Sequence, residues 1–345
     1  MRAPNTDVEQ GPAPKARPAK SRRFTLDSPY VFILPAVLLF GMFSLYPIVR
    51  SLYLSFFDYD FLRPDQMHFV GWGNYREILR DERVMQWPGL VTPAKPLSIW
   101  EIIFYPFLTL GLTVNSPGGA FWNTIRFTIM YVPAAIIFPL FLAVLVDKAG
   151  RLSTLFRTLN FIPVVVSVAV ISIIWMWIYH PEYGVVNTLL RQMAGMKEGY
   201  NWLSDPKLAM PAVVAMCVWH GLGFNMLLFL VGLQRISPEL HEAALVDGAT
   251  GWQAFRGITL PLLRPIIFLV GLLAMIGALK VFGQMFIMTG GGPADSTLSM
   301  VLYLYNIAFR YGKFRFGYAS ALAWALAVFI FVVALISFRL SKERE

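Results

Sequence analysis

Six apolar blocks, each about twenty residues or longer, alternate along the chain with polar or turn-forming segments. They run roughly over Tyr30–Leu54, Phe121–Val146, Leu159–Tyr179, Ala209–Leu233, Pro265–Met288 and Tyr318–Phe338. A helix rises 1.5 Å per residue, so about twenty residues cover the hydrocarbon layer of a bilayer. Inside lipid the backbone must satisfy its own hydrogen bonds, so the pattern predicts an all-α polytopic membrane protein with six transmembrane helices. The first block runs longer than a signal-peptide core and is followed by no small-residue cleavage pattern. It is expected to stay in the membrane.

The segments between the blocks are unlike one another. Residues 1–28, rich in Pro, Ala and basic side chains, have no apolar period and read as a disordered tail ahead of one membrane domain at 29–345. Residues 80–120 form an insertion after the first block. Within it, Ser98–Val114 is apolar but short and carries Glu101 and Pro106, which suits an interfacial or re-entrant segment better than a seventh span.

Residues 234–264, between the fourth and fifth blocks, hold the most ordered polar pattern in the chain. Ser237-Pro238-Glu239 is a helix start: an N-cap residue, a Pro in the first turn and an acid near the positive end of the helix dipole. The helix Pro238–Val246 is expected to end at Asp247-Gly248, where Gly can take the left-handed conformation. Thr250, with Gln253 three residues on, starts a second helix as a capping box. That helix is expected to stop at Pro261. Ala243, Ala244 and Ala249 keep the surface low, and Glu242 and Asp247 offer acceptors to Arg or backbone N–H groups. From the residues alone, the loop is either a docking element for another protein or a cap that returns the chain to the membrane.

Composition agrees with the membrane reading: 57% of the 345 residues are hydrophobic and 14% charged, against about 25% charged in soluble domains. The net charge of +9 is assigned to membrane flanks rather than to nucleic acid. With the N-terminus inside, fifteen Lys and Arg fall in the inner segments and eleven in the longer outer ones. That bias puts both termini and the 234–264 loop in the cytoplasm. One cysteine, Cys217, and four scattered histidines leave no disulfide and no metal cage. The one Gly-Lys pair, Gly312-Lys313, is followed by Phe314, with Ile307 where a P-loop needs its first glycine. Neither a nucleophile elbow nor a zinc motif occurs, so no catalytic residue and no cofactor is expected on this chain.

A few polar residues fall inside the blocks. Lys280 is the clearest, because a mid-bilayer charge costs about 3 kcal/mol on insertion scales. It either lines a solute route, pairs with a partner subunit or snorkels to a membrane edge. His220, Asn225 and Gln284 can hydrogen-bond a hydroxylated solute or a neighbouring helix, and Trp219 can stack on a sugar face or simply pack. Six prolines at or within the blocks permit kinks and mark no site.

The segment from Glu242 to Pro265 resembles the EAA loop of ATP-binding-cassette importer permeases. The match reads Glu242-Ala243-Ala244, Asp247-Gly248-Ala249, Phe255, Ile258, Leu260-Pro261 and Pro265. Further stretches are similar to the sugar-type members, such as the maltose and glycerol-phosphate permeases: FVGWGNY (69–75), NTIRFT (123–128), YGVVNTLL (183–190), WLSDP (202–206), GLQRISPEL (232–240), MTGGGP (288–293) and FGYASAL (316–322). The resemblance covers about residues 30–340. It implies that the loop inserts as a coupling helix into a separate ATPase subunit, which holds ATP and Mg. It also implies a second, homologous permease subunit, an extracytoplasmic solute-binding protein and a sugar or polyol moved by alternating access. The sequence departs from the maltose-type pattern at Trp219, Ala278 and Val281, where that relative places sugar-binding asparagines on two spans, and at Gly283, where relatives often carry an acid. Two rivals are a membrane scaffold with a docking loop and an ion-coupled transporter. The second needs mid-span acids, which are almost absent here.

Overall fold

A computed structural model of the chain describes residues 29–86, 89–90, 114–116, 118–194, 199–312 and 314–342. The 1–28 tail and most of the Ser98–Val114 segment therefore lie outside the described residues. The chain divides into two units at Arg50/Ser51. The first apolar block forms α1 (Pro29–Phe40), a π-turn at Gly41–Leu45 and α2 (Tyr46–Leu54).

The remaining apolar blocks form helices, but not all of them straight ones. Short α3 (Gly73–Arg80) and α4 (Glu82–Met85) precede α5 (Ala120–Asp147). The third block is split into α6 (Ser153–Val165) and α7 (Val168–Ile178), followed by α8 (Val185–Ala194). The fourth is α9 (Ala209–Leu233), and the loop contributes α10 (Pro238–Val246), α11 (Gly251–Ala254) and α12 (Leu260–Leu262). The fifth is α13 (Arg264–Leu279) with α14 (Gly283–Met288), and the last elements are α15 (Met300–Tyr305) and α16 (Phe316–Lys342). The strands among the described residues are two short antiparallel pairs, Phe57–Asp58 with His68–Phe69 and Gly89–Leu90 with Val114–Ser116. Among the described residues, four helices are singly long and apolar enough to cross a bilayer. The two bent pairs Ser153–Val165 with Val168–Ile178 and Gly251–Leu262 with Arg264–Leu279 bring the number to six if each counts as one span.

Breaks interrupt two of the expected spans. The expected span Leu159–Tyr179 turns through 102° between α6 and α7. Pro163 cannot donate within the last turn of α6, Val166 adopts extended backbone, and the Ser167 hydroxyl accepts from Val170 N at 3.4 Å to start α7. The fifth block likewise leaves the helix at Lys280–Phe282 before resuming at Gly283. The stop expected at Pro261 comes one residue later, at Leu262, where the chain bends by 66° into α13. A π-turn at Phe255–Thr259 shifts the register so that Pro261 falls in the first turn of α12, where its missing N–H costs no helical bond.

The helices α5, α9 and α13 pack together, and α9 also packs on α6. One buried cluster holds Met226, Phe229, Leu230, Ala143, Val146 and Val270. A larger one runs through Phe127, Met210, Met216, Met285, Leu302 and Leu322. Gly223 sets the closest approach, since a Cβ there would fall against the Asn160 carbonyl of α6. The 234–264 end and the opposite loops are thus held by separate apolar clusters, which leaves the loop free to be shaped by its own capping bonds.

Candidate coupling loop and translocation residues

Local bonds fix the shape of the 234–264 loop. Ser237 occupies the N-cap position in extended backbone, but its hydroxyl makes no capping bond, so the expected side-chain cap is absent and Pro238 alone sets the first turn. At the other end, Ala249 N donates to Ala244 O at 2.9 Å and Gly248 N to Leu245 O at 3.1 Å. With Gly248 at φ +75°, this is a complete Schellman stop. The capping box forms as expected: Thr250 N donates to Gln253 Oε1 at 2.7 Å, and the Thr250 hydroxyl accepts from Gln253 N. His241 Nε2 lies 3.1 Å from the hydroxyl of Thr259, which is buried at the end of the π-turn.

Of the residues expected to dock a partner, Glu242, Ala243, Asp247 and Gly248 are exposed, Ala249 is half-buried and Ala244 is buried. The low surface expected of both alanines is therefore divided: Ala243 faces out, and Ala244 seats α10 on the bundle. The structure adds three residues that sequence reasoning missed. Leu245, Val246 and Trp252 are exposed at 69%, 88% and 67%. Large apolar side chains beside the cap signals of a segment read as water-facing are the signal that could have found them.

The pathway candidates divide in two. The ring of Trp219 sits edge-on to that of Trp175, 5.6 Å away, and remains 41% exposed. His220 Nε2 lies 3.3 Å from the Val166 carbonyl, which the break between α6 and α7 has released from helical bonding. Gln284 lies in the first turn of α14, which packs on α7, and a Cβ at neighbouring Gly283 would sit 3.4 Å from Val168. Lys280 is exposed immediately after α13, and the adjacent Val281 carbonyl accepts from the Ser299 hydroxyl at 2.7 Å. Trp219, His220, Lys280 and Gln284 thus attend two helix breaks whose freed carbonyls are satisfied by side chains, as irregular backbone at membrane depth requires. Asn225 stands apart: it is buried and donates to the Ala135 carbonyl at 3.1 Å, tying the fourth block to the second.

On the loops opposite, charge is neutralised locally. Arg315 pairs with Glu77 through two bonds of 2.6 and 2.7 Å, and that hydrogen bond is the main cause raising the guanidinium pKa. Asp81 accepts from both Tyr303 and Tyr318, at 2.6 and 2.7 Å. Burial, then the bond to Asp81, push the Tyr303 phenol well above its ordinary range.

Apolar helices, two of them broken, with one capped loop between the fourth and fifth blocks, describe a multi-pass permease subunit. Residues 107–343 match the family of binding-protein-dependent transport system inner membrane components, and the chain belongs to it. It is 31% identical to the lactose transport system permease LacF of Rhizobium radiobacter, over 92% of this chain and 94% of that one. It is also 31% identical to a probable ABC transporter permease of Pyrococcus horikoshii, over 90% of this chain and 94% of the relative. Its fold matches a bacterial alginate ABC transporter solved in complex with an alginate pentasaccharide-bound periplasmic protein. That match has a TM-score of 0.69 and 20% identity, covering 91% of this chain and 93% of that one. The protein is therefore a membrane subunit of an ATP-binding-cassette importer that works with a solute-binding protein and a second permease subunit. It is not itself an enzyme, because ATP is hydrolysed on a separate subunit.

Proposed function

We propose that this subunit admits a sugar or related polyol, that its 234–264 loop is the cytoplasmic coupling element, and that both termini lie in the cytoplasm. The observation that carries the coupling role is the loop itself. Glu242, Asp247, Leu245, Val246 and Trp252 are exposed on a segment whose central bend is fixed by a Schellman stop and a capping box in series. A rigid apolar surface flanked by two carboxylates suits insertion into a cleft of the ATPase subunit, which binds ATP and Mg; this chain needs no cofactor of its own. The lactose permease relative supports the sugar class, and the Lys and Arg bias supports the orientation.

Alternating access then follows from differential contact. Closure of the ATPase subunits favours one position of α10, and the breaks at Val166–Ser167 and Lys280–Phe282 let half-helices turn without unfolding whole spans. Trp219, His220, Lys280 and Gln284 border the solute route. The outer loops at 58–120 and 180–207 receive the solute-binding protein.

The test is affinity purification of the detergent-solubilised chain, native and Glu242→Lys, with co-purified proteins identified by mass spectrometry. The native chain should bring an ATPase and a second permease, and Glu242→Lys should lose about tenfold or more of the ATPase while keeping the permease. Equal ATPase recovery by both would remove Glu242 from the coupling surface.

A further inference from the structure

We propose that His241 is the strut through which movement of α10 reaches the fifth span, a positioning role that rests on the coupling function of the loop. The helix is almost suspended. Of its nine residues only Ala244 is buried. A cavity of about 630 Å³ separates it from α5, with His241, Leu245 and Ala249 on one wall and Ile137, Leu140 and Phe141 on another. Among the described residues, the hydrogen bond between His241 Nε2 and the Thr259 hydroxyl is the one side-chain hydrogen bond between α10 and the rest of the protein.

Thr259 is well placed to receive that link. It is 5% exposed, closes the π-turn Phe255–Thr259 and accepts from Leu263 N through its carbonyl at 3.0 Å. Force on Thr259 therefore acts at the base of α13, just before the 66° bend that opens the fifth span. The alternative route from α10 to α13 is along the backbone, through the turn at Gly248 and Ala249 and the irregular register of the π-turn. A π-turn absorbs displacement that a continuous α-helix would transmit, so a direct strut to its far end bypasses the softest part of the path. The cavity behind α10 gives the helix room to move. The imidazole ties that motion to the span.

The experiment uses the whole transporter, with its ATPase and second permease, in lipid nanodiscs. Spin labels are attached at Glu239→Cys on α10 and, in a second doubly labelled protein, at Leu273→Cys on α13, each measured against Val231→Cys on α9. All three positions are exposed, and the native Cys217 is buried. Pulsed dipolar distances are recorded with and without ATP. In otherwise native protein, ATP is expected to move both labels. With His241→Ala the α10 label should still move, while the amplitude at Leu273 falls by about threefold. His241→Gln, whose amide can donate to or accept from the Thr259 hydroxyl at similar reach, should restore it. Adding Thr259→Val to His241→Ala should cause no further loss, since both remove one bond.

An unchanged amplitude at Leu273 with His241→Ala would overturn the strut and leave the coupling loop intact. Loss of the ATPase from the His241→Ala transporter would overturn it too, marking the imidazole as an ATPase contact. A native chain that co-purifies with no ATPase would instead remove the coupling reading, and the strut with it.

Discussion

Gly248→Pro should abolish ATP-driven solute uptake while the chain still inserts in the membrane and still pairs with its second permease. Gly248 holds φ +75°, which Pro, fixed near −65°, cannot adopt. The substitution also deletes the N–H that donates to Leu245 O at 3.1 Å, so half of the Schellman stop disappears with it. The combined cost is about 3 kcal/mol or more, which leaves under about 1% of molecules with the native end of α10. Gly248→Ala separates the two causes. A Cβ at this position meets no atom within 4 Å, so alanine bears only the cost of the left-handed conformation, about 1–2 kcal/mol. Uptake in proteoliposomes, normalised to ATPase subunit retained, should fall steeply for Pro and only partly for Ala. Equal uptake by Pro and native protein would mean that the bend at Gly248 carries no coupling.

The loop is legible in the sequence because its signals are local. Pro238, Gly248, Thr250 and Gln253 act within a few residues of themselves, and each sits where its own backbone chemistry puts it. The failures are also local, and instructive. Pro261 reads as the terminator and the helix ends one residue beyond it, but sequence shows only the missing donor and not the π-turn that precedes it. Pro163 reads as a tolerated kink, whereas the chain beyond it turns by 102°. Hydrophobicity alone cannot report that turn, since lipid accepts apolar residues on either side of a break. Long-range partners are out of reach for a different reason. Nothing in NTIRFT or MTGGGP announces that Asn123 donates to the carbonyls of Asp295 and Leu298, or that the Thr124 hydroxyl accepts from Met300 N. Nor does the sequence announce that Arg315 pairs with Glu77, far away along the chain.

The same argument makes Asn187 the position where a single substitution should most damage stability. It reads in sequence as one polar residue of YGVVNTLL, yet it is 1% exposed and uses its whole amide. Its Nδ2 donates to the carbonyls of His180, Pro181 and Tyr200 at 3.2, 3.2 and 3.0 Å. Its Oδ1 accepts from Tyr200 N at 3.1 Å and from Trp202 Nε1 at 3.0 Å. One side chain thereby closes the loop between α7 and α9 and joins two sequence motifs. Asn187→Leu would leave these buried groups without partners, at about 1–3 kcal/mol for each that water cannot reach. A loss of about 3–5 kcal/mol follows, because some groups will relax toward solvent. Asn187→Asp keeps both acceptor bonds, loses the donor and sets a carboxylate against three carbonyls, so it should be no better tolerated. Thermal unfolding of the purified complex, followed by tryptophan fluorescence, should show both variants melting well below the native protein. An unshifted midpoint for Asn187→Leu would mean that the loop is held by its apolar contacts, with Trp202 packing on Tyr179 and Tyr200 at centroid distances of 5.8 and 5.4 Å, and that the amide only follows.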